Sequence, residues 1–236
     1  MQVKLITLNI RYDNPRDGVN IWARRKTPLQ EFLQSQQADW LAFQEVLPSQ
    51  RRDLEAMLPG YRSYGISRDG QGKDEQCCWF VRDPWWFEEA RTLWLSDTPD
   101  RPSLGWDAML PRVVSLVRLA AGGQRCWAAN VHLDHHGPQA RDLGLRQVAE
   151  ALDRELPGVI VGDFNQRPEL PGWLDCQQQS PQADLGTFHD FQGGTSGPRI
   201  DGILLSAHWS LQGFQLVQDA RLSDHYPLLA EVAIGA

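Results

Sequence analysis

Short apolar runs alternate with polar breaks rich in glycine, proline or aspartate along almost the whole chain. Runs of this length, rich in Val, Ile, Leu and aromatic residues, predict strands over 3–9, 39–45, 61–66, 76–82, 86–95, 112–119, 124–132, 158–163, 200–206, 211–218 and 226–234. Helical spacing appears in two places. Residues 22–36 set Trp22, Leu29, Phe32 and Leu33 on one stripe, and 138–155 do the same with Leu145, Val148, Ala149 and Leu152. A third helix is expected over 48–58, where Pro48 suits the first turn. Eleven strands exceed what one doubly wound sheet needs. The pattern predicts an α/β fold of four layers, α/β/β/α, in which two mixed sheets pack face to face under outer helices. Residues 96–111 and 164–186 are the most loop-like stretches, but motifs continue on both sides of each, so residues 1–236 form one domain.

Composition narrows the function classes. A net charge of −7 argues against a broad basic face for duplex DNA, because phosphate neutralisation supplies most non-specific affinity. The chain contains no apolar stretch of about 18 residues, the length a membrane-spanning helix needs. Its first residues, Met1–Asn9, have the pattern of a strand and lack the apolar core of a signal peptide. Cys77, Cys78, Cys126 and Cys176 show no Cys-x-x-Cys spacing, and three of them fall in predicted strands as buried thiols would. A reduced, cytoplasmic monomer is expected.

Candidate chemistry collects at strand ends. Val159-Ile-Val-Gly-Asp-Phe-Asn165 carries an acid and an amide two residues apart, which on an extended segment point the same way. A carboxylate can orient or deprotonate a water, and an amide can donate to the oxyanion that results. Asn9, Gln44-Glu45, Glu75-Gln76, His132 with Asp134, Asp201, and Ser223-Asp224-His225 also lie at strand boundaries. Each alone has an ordinary role as a loop cap or a satisfied structural histidine. Their recurrence at edges that two sheets can bring together is what points to a site. Of the tryptophans, Trp40, Trp79, Trp94 and Trp127 are expected in the core, and one of Trp85 and Trp86 should face inward. Trp106, in a loop, suits either substrate stacking or loop anchoring. Arg24-Arg-Lys26 and Arg51-Arg52 are expected on solvated helix faces.

Thr7-Leu-Asn9, Phe43-Gln-Glu45, Asn130-Val-His132, Gly162-Asp-Phe-Asn165, Arg199-Ile-Asp201 and Ser223-Asp-His225 stand in an order and spacing that resemble the endonuclease/exonuclease/phosphatase superfamily. That group of metal-dependent phosphoesterases includes deoxyribonucleases, abasic-site endonucleases, inositol 5-phosphatases, neutral sphingomyelinases and deadenylases. Trp94-Leu-Ser-Asp-Thr-Pro99, Gly105-Trp-Asp107 and Pro111-Arg112 further resemble small bacterial members of it, as does His132-Leu-Asp-His135.

The resemblance implies a role for each matching residue. Glu45 becomes the principal metal carboxylate, with Asn9 and Asp224 beside it, an all-oxygen set that suits Mg²⁺ or Mn²⁺ better than zinc. Asp163 and Asn165 would position the attacking water and a phosphoryl oxygen. Asp201 would hold His225, and Glu75 would hold His132, so that two carboxylate–histidine pairs flank one phosphate. Arg68 and Arg112 are candidates to meet the anionic substrate, with Trp106 as a stacking surface. The roles of Asp134, His135 and His189 stay open.

Two departures matter. Ile200-Asp-Gly202 replaces the family's usual Ile-Asp-Tyr, and no counterpart is found for the phosphate-contacting tyrosine of abasic-site endonucleases. The implied function is a Mg²⁺-dependent hydrolase of phosphodiesters or phosphomonoesters, its substrate a small phosphorylated molecule or single-stranded nucleic acid. A duplex DNA nuclease is the alternative. A catalytically inactive binding module is disfavoured because every expected catalytic position holds a competent residue.

Overall fold

A computed structural model describes residues 1–235. Two six-stranded sheets face each other. The first runs β11(Trp209–Leu216)-β12(Leu228–Ile234)-β1(Gln2–Asn9)-β2(Trp40–Val46)-β4(Gln76–Arg82)-β3(Tyr61–Tyr64). The second runs β5(Trp86–Trp94)-β6(Val113–Ala121)-β7(Gln124–His132)-β8(Gly158–Asp163)-β10(Asp201–Leu205)-β9(Leu174–Asp175). Both sheets are mixed, since β1 pairs with β2 and β7 with β8 in parallel while the other pairs are antiparallel. Helices α1(Trp22–Gln36) and α2(Pro48–Met57) cover the first sheet and α3(Pro138–Ala151) covers the second.

The long apolar runs of the central strands follow from burial on both faces. In β1, Leu5 points into the layer between the sheets while Ile6 points outward to Leu29 and Leu33 of α1. In β8, Val159 and Val161 face inward and Ile160 packs outward with Leu145 and Val148 of α3. Each expected strand is present within a few residues of its predicted bounds, and α3 stops four residues short of 155. The additional strand, β9, has only two residues, too short to leave a pattern in what was expected to be a loop.

Trp40, Trp79, Trp94 and Trp127 are buried as expected, and of the Trp85–Trp86 pair the first is 1% exposed and the second 47%. All four cysteines are buried, free thiols, and burial pushes their ionisation up. Among the described residues, no helix is long and apolar enough to cross a membrane.

A buried polar tie joins the sheets just under the strand ends that carry the candidate site residues. Gln44 Nε2 donates to Asn130 Oδ1 at 2.7 Å, and Asn130 Nδ2 donates to the carbonyls of Phe43 and Cys78 at 3.0 Å each. Two motif residues thus serve register, since an unpaired amide here would cost about 1–3 kcal/mol.

Candidate active site

The C-terminal ends of the parallel pairs β1/β2 and β7/β8 bring Asn9, Glu45, His132 and Asp163 to one edge of the sandwich. Asn9 Nδ2 donates to Glu45 Oε1 and to Asp163 Oδ2, both at 3.0 Å, so one amide spans the two sheets. Glu45 sits in the left-handed region (φ 59°) where β2 bulges between Phe43 and Val46, and the Tyr12 amide donates to its Oε2 at 3.0 Å. Such a backbone costs a non-glycine residue about 1 kcal/mol or more and persists where the surroundings over-determine it. Ser223 ties the third metal candidate in, its Oγ donating to the Asn9 carbonyl at 2.6 Å while Asp224 lines the same cleft as Glu45.

Asp163 is the centre of the arrangement. It is 2% exposed, and its Oδ2 lies 3.5 Å from His132 Nε2 and 3.9 Å from His225 Nε2. Burial and the neighbouring Asp201 push its ionisation up. His225 Nδ1 lies 2.9 Å from Asp201 Oδ2, the expected pair. Burial alone would lower the basicity of His225, but Asp201, Asp163 and Asp224 outweigh it and raise the imidazole to about 10, so its charged form is favoured. His132 is the opposite case, held well below its ordinary value by burial and by the positive Arg112 and His225.

Asn165 converges with Asp163, though not by strand alternation. The strand ends at Asp163, and Asn165 turns left-handed (φ 50°) so that its amide N–H donates to Asp163 Oδ1 at 2.8 Å. Its side chain lines the cleft while Nδ2 donates to the Leu133 carbonyl at 2.9 Å. The sharp exit depends on Gly162, whose φ is +135° and where a Cβ would lie 2.0 Å from the Val131 carbonyl oxygen. At Gly202, the position of the usual aromatic, a Cβ would meet Pro168 at 2.4 Å, so Pro168 and Phe164 fill that space instead.

The expected pairing of Glu75 with His132 is corrected. Glu75 is gripped by Arg68, whose Nη1 and Nη2 donate to its two oxygens at 2.9 and 3.2 Å, and Arg68 Nε lies 2.9 Å from Asp74. The fork geometry of guanidinium explains the preference, since it satisfies both carboxylate oxygens at once. Glu75, Arg68, Arg112, His132 and His135 nonetheless line one cleft with Glu45, Asp163 and Asp224, about 940 Å³ in volume. Arg112 is 6% exposed, with Nη2 donating to His135 Nδ1 at 3.0 Å, Nε 3.6 Å from Asp134 Oδ2, and no hydrogen-bond acceptor for Nε.

Asp134 accepts from the amides of His136 and Gly137 at 2.9 and 2.8 Å and of Leu110 at 3.3 Å, so it shapes the cleft wall rather than holding His135. His189 lies outside the cleft lining and stacks on Tyr226 with ring centroids 4.0 Å apart. Trp106 is also absent from the lining. Its neighbour Asp107 accepts from the amides of Gln139 and Ala140, capping α3 from a distant loop, which makes Trp106 part of an anchoring turn.

The model of the endonuclease/exonuclease/phosphatase family matches residues 6–225. The chain belongs to that family. A family protein from Bacteroides vulgatus superposes with a TM-score of 0.91 at 30% identity, covering 99% of each chain. A mannosyl-6-phosphatase from Bacteroides thetaiotaomicron gives 0.89 at 27% identity, covering 98% of this chain and 100% of that one. A TDP2 from D. rerio, solved with a single-strand DNA product, shares the fold with a TM-score of 0.78 at 18% identity, covering 98% and 99%. A sequence search of curated proteins returns no match.

Members of the endonuclease/exonuclease/phosphatase family are metal-dependent phosphoester hydrolases, and this chain is an enzyme of that class. Two donor sets could serve a metal. Asp163, Asp201 and His225 offer three ligand atoms within 4.8 Å of one another, but Asp201 and His225 already satisfy each other. Glu45 and Asp224 offer carboxylate oxygens at the open cleft, which fits a hard divalent cation that keeps several waters, while buried Asn9 turns its Nδ2 to Glu45 and its Oδ1 accepts from the Arg11 amide.

Sequence reasoning missed Arg25. It was expected on a solvated face, yet it is 2% exposed and donates to the carbonyls of Asn20, Ile10, Leu222 and Arg11 at 2.6 to 3.1 Å. A signal was present, because position 25 lies on the buried stripe between Trp22 and Leu29. Arg51 likewise leaves the solvated face, donating to Gly65 O, Gln76 Oε1 and Ser63 Oγ at 2.7 to 3.1 Å. Arg11, which lines the cleft beside Asp224, had no apolar stripe to reveal it.

Proposed function

We propose that this protein is a Mg²⁺-dependent phosphohydrolase of small phosphorylated molecules, with Mn²⁺ as an effective substitute. The observation that carries the reading is the Asn9 amide, which binds the metal-side carboxylate Glu45 and the catalytic carboxylate Asp163 at once. Bound at Glu45 and Asp224, with Asn9 orienting Glu45, the cation would supply charge neutralisation for a phosphoryl oxygen. Asp163 orients the attacking water, helped by the Asn165 amide that fixes its other oxygen. His225, kept charged by Asp201, stabilises negative charge beside Asp163. His132, kept neutral, donates its N–H toward the leaving oxygen from the opposite wall. Arg112 contributes a guanidinium charge to the cleft wall.

A small substrate is favoured over duplex DNA by the state of the cleft arginines. Arg11, Arg68 and Arg112 all sit against carboxylates, namely Asp17, Glu75 with Asp74, and Asp134, so these three do not add up to an open basic face at the cleft. The full-length similarity to a mannosyl-6-phosphatase supports a phosphorylated sugar among the candidates.

Activity should vanish on chelation and return with Mg²⁺ or Mn²⁺. Glu45→Gln should raise the metal concentration for half-maximal activity about tenfold or more while circular dichroism stays unchanged. Full turnover in verified metal-free protein, or an unaltered titration in the variant, would overturn the assignment.

A further inference from the structure

Arg11 is held more firmly than a surface arginine has reason to be. Its backbone is left-handed (φ 55°), a conformation that disfavours any residue with a Cβ. Three contacts impose it. The Arg11 amide donates to Asn9 Oδ1 at 2.9 Å, and its carbonyl accepts from Arg25 Nη2 at 3.1 Å and Gln50 Nε2 at 2.9 Å. The side chain is fixed as well. Nε and Nη2 donate to the two oxygens of Asp17 at 3.0 Å each, and the guanidinium stacks on Tyr12 at 4.6 Å. Asp17 belongs to the short 3-10 segment Pro15–Asn20, whose start is capped by Asn14 accepting from the Arg16 amide.

This arrangement fixes the plane of the guanidinium and leaves Nη1 without a protein partner among the described residues. Arg11 lines the cleft on the Glu45 and Asp224 side, with Nε 3.7 Å from Asp224 Oδ2. Strain that surrounding contacts sustain beside a reactive centre is a mark of aiming.

We infer that Arg11, oriented by Asp17, is a substrate-binding residue that selects phosphomonoesters over phosphodiesters. The inference rests on the hydrolase reading above and deepens it. A terminal phosphate has three non-bridging oxygens, and a diester has two. The cleft supplies three separate partners for them, the metal corner, Arg112 and Arg11. A monoester satisfies all three. A diester leaves one cationic donor unpaired and places an ester substituent where an oxygen belongs, and a site built for a polar group rejects an analogue that lacks it. Asp17 acts through Arg11 and is a positioning residue.

The test compares 4-nitrophenyl phosphate with methyl 4-nitrophenyl phosphate, which share a leaving group, in Mg²⁺. Arg11→Gln should lower the monoester-to-diester ratio of kcat/KM by about ten- to a hundredfold. The Kd for inorganic phosphate, measured by calorimetry in Mg²⁺, should weaken over the same range. Asp17→Asn should shift the ratio in the same direction by less, and Arg11→Lys, which keeps charge but not the fork, should fall between. An unchanged ratio in Arg11→Gln overturns the inference, and should that variant fail to fold, an unchanged ratio in Arg11→Lys does the same. If the wild type cleaves neither ester, the hydrolase reading falls instead. Phosphate calorimetry then still decides on Arg11, with equal affinity in wild type and variant counting against it.

Discussion

The two flanks of Asp163 are built differently. On the flank proposed to hold the metal, Asn9, Glu45 and Asp224 come from β1, β2 and the loop before β12, and each is tied to another segment through Asn9, Tyr12, Ser223 or Arg25. The ties run mostly to backbone groups, which do not change rotamer. On the opposite flank, His132 is fixed by β7, but Arg68 holds Glu75 through an ion pair and Arg112 holds His135 through a single imidazole contact. That flank also keeps a buried Arg112 Nε with no acceptor. The contrast teaches a division of labour. In the proposed reading, the flank assigned to the metal is preorganised for the step every substrate shares, and the other flank would be completed by the substrate it accepts.

The largest expected effect breaks or upholds that division directly. Asp163→Asn should reduce kcat about 10³-fold on good and poor leaving groups alike, since orienting the water does not depend on what departs. His132→Ala should cost roughly 10²-fold on an alkyl phosphate and far less on a nitrophenyl phosphate, whose leaving oxygen is stable as an anion. Rapid-quench or steady-state rates on the two esters separate the cases. Equal losses for His132→Ala on both esters would end its leaving-group role. A substrate-dependent loss for Asp163→Asn would mean the flanks are not divided as argued.

A middle-sized effect sharpens the comparison at the hinge of the metal flank. Arg25 holds the carbonyls of Ile10 and Arg11, which follow Asn9, and of Leu222, which precedes Asp224 by two residues. Arg25→Lys keeps the charge and cannot reach all of these acceptors. It should destabilise the fold by about 2–4 kcal/mol, as buried carbonyls lose their donors. It should also raise the metal concentration for half-maximal activity several-fold. The metal titration is the informative readout, because a residue of structural importance only would lower Tm and leave it unmoved.

The fold was largely legible because both faces of the central strands are buried, which leaves unbroken apolar runs in the sequence. Val159 to Val161 show how such a run can hide two different packing partners without hiding the strand. The convergence of the candidate residues was legible where a side chain sits at a strand end, as with Asn9, Glu45, His132 and Asp163. It was not legible where geometry depends on loops. The grip of Arg68 on Glu75, in place of His132, arises in the 67–75 loop, whose course no periodicity records. Trp106 was open for a related reason. Its role is set by Asp107 capping a helix about 30 residues further on, a contact between loop and terminus that leaves no local trace. Arg25 could have been found, because a charge on a buried stripe needs partners.

The smallest effect expected concerns how acid acts on the substrate-completed flank. Asp134 is buried and accepts from the amides of Leu110, His136 and Gly137, which ties the loop before Arg112 to the turn that enters α3. Burial works against its charge, but the backbone donors of Gly137, His136 and that loop, with Arg112, prevail and hold its carboxyl down to about 2. Its ordinary value is near 3.9, so the charged form is the one folding favours. The stability it contributes is therefore complete above about pH 4 and is lost as pH falls through 2. Asp134→Asn should lower stability near neutral pH by about 0.5–2 kcal/mol, the scale of a helix-capping carboxylate. The gap between wild type and variant, read from urea midpoints, should then close progressively between about pH 4 and pH 2. A gap that stays constant to pH 2 would show that the carboxylate's charge does not brace this wall, and that the loop is held by its packing alone.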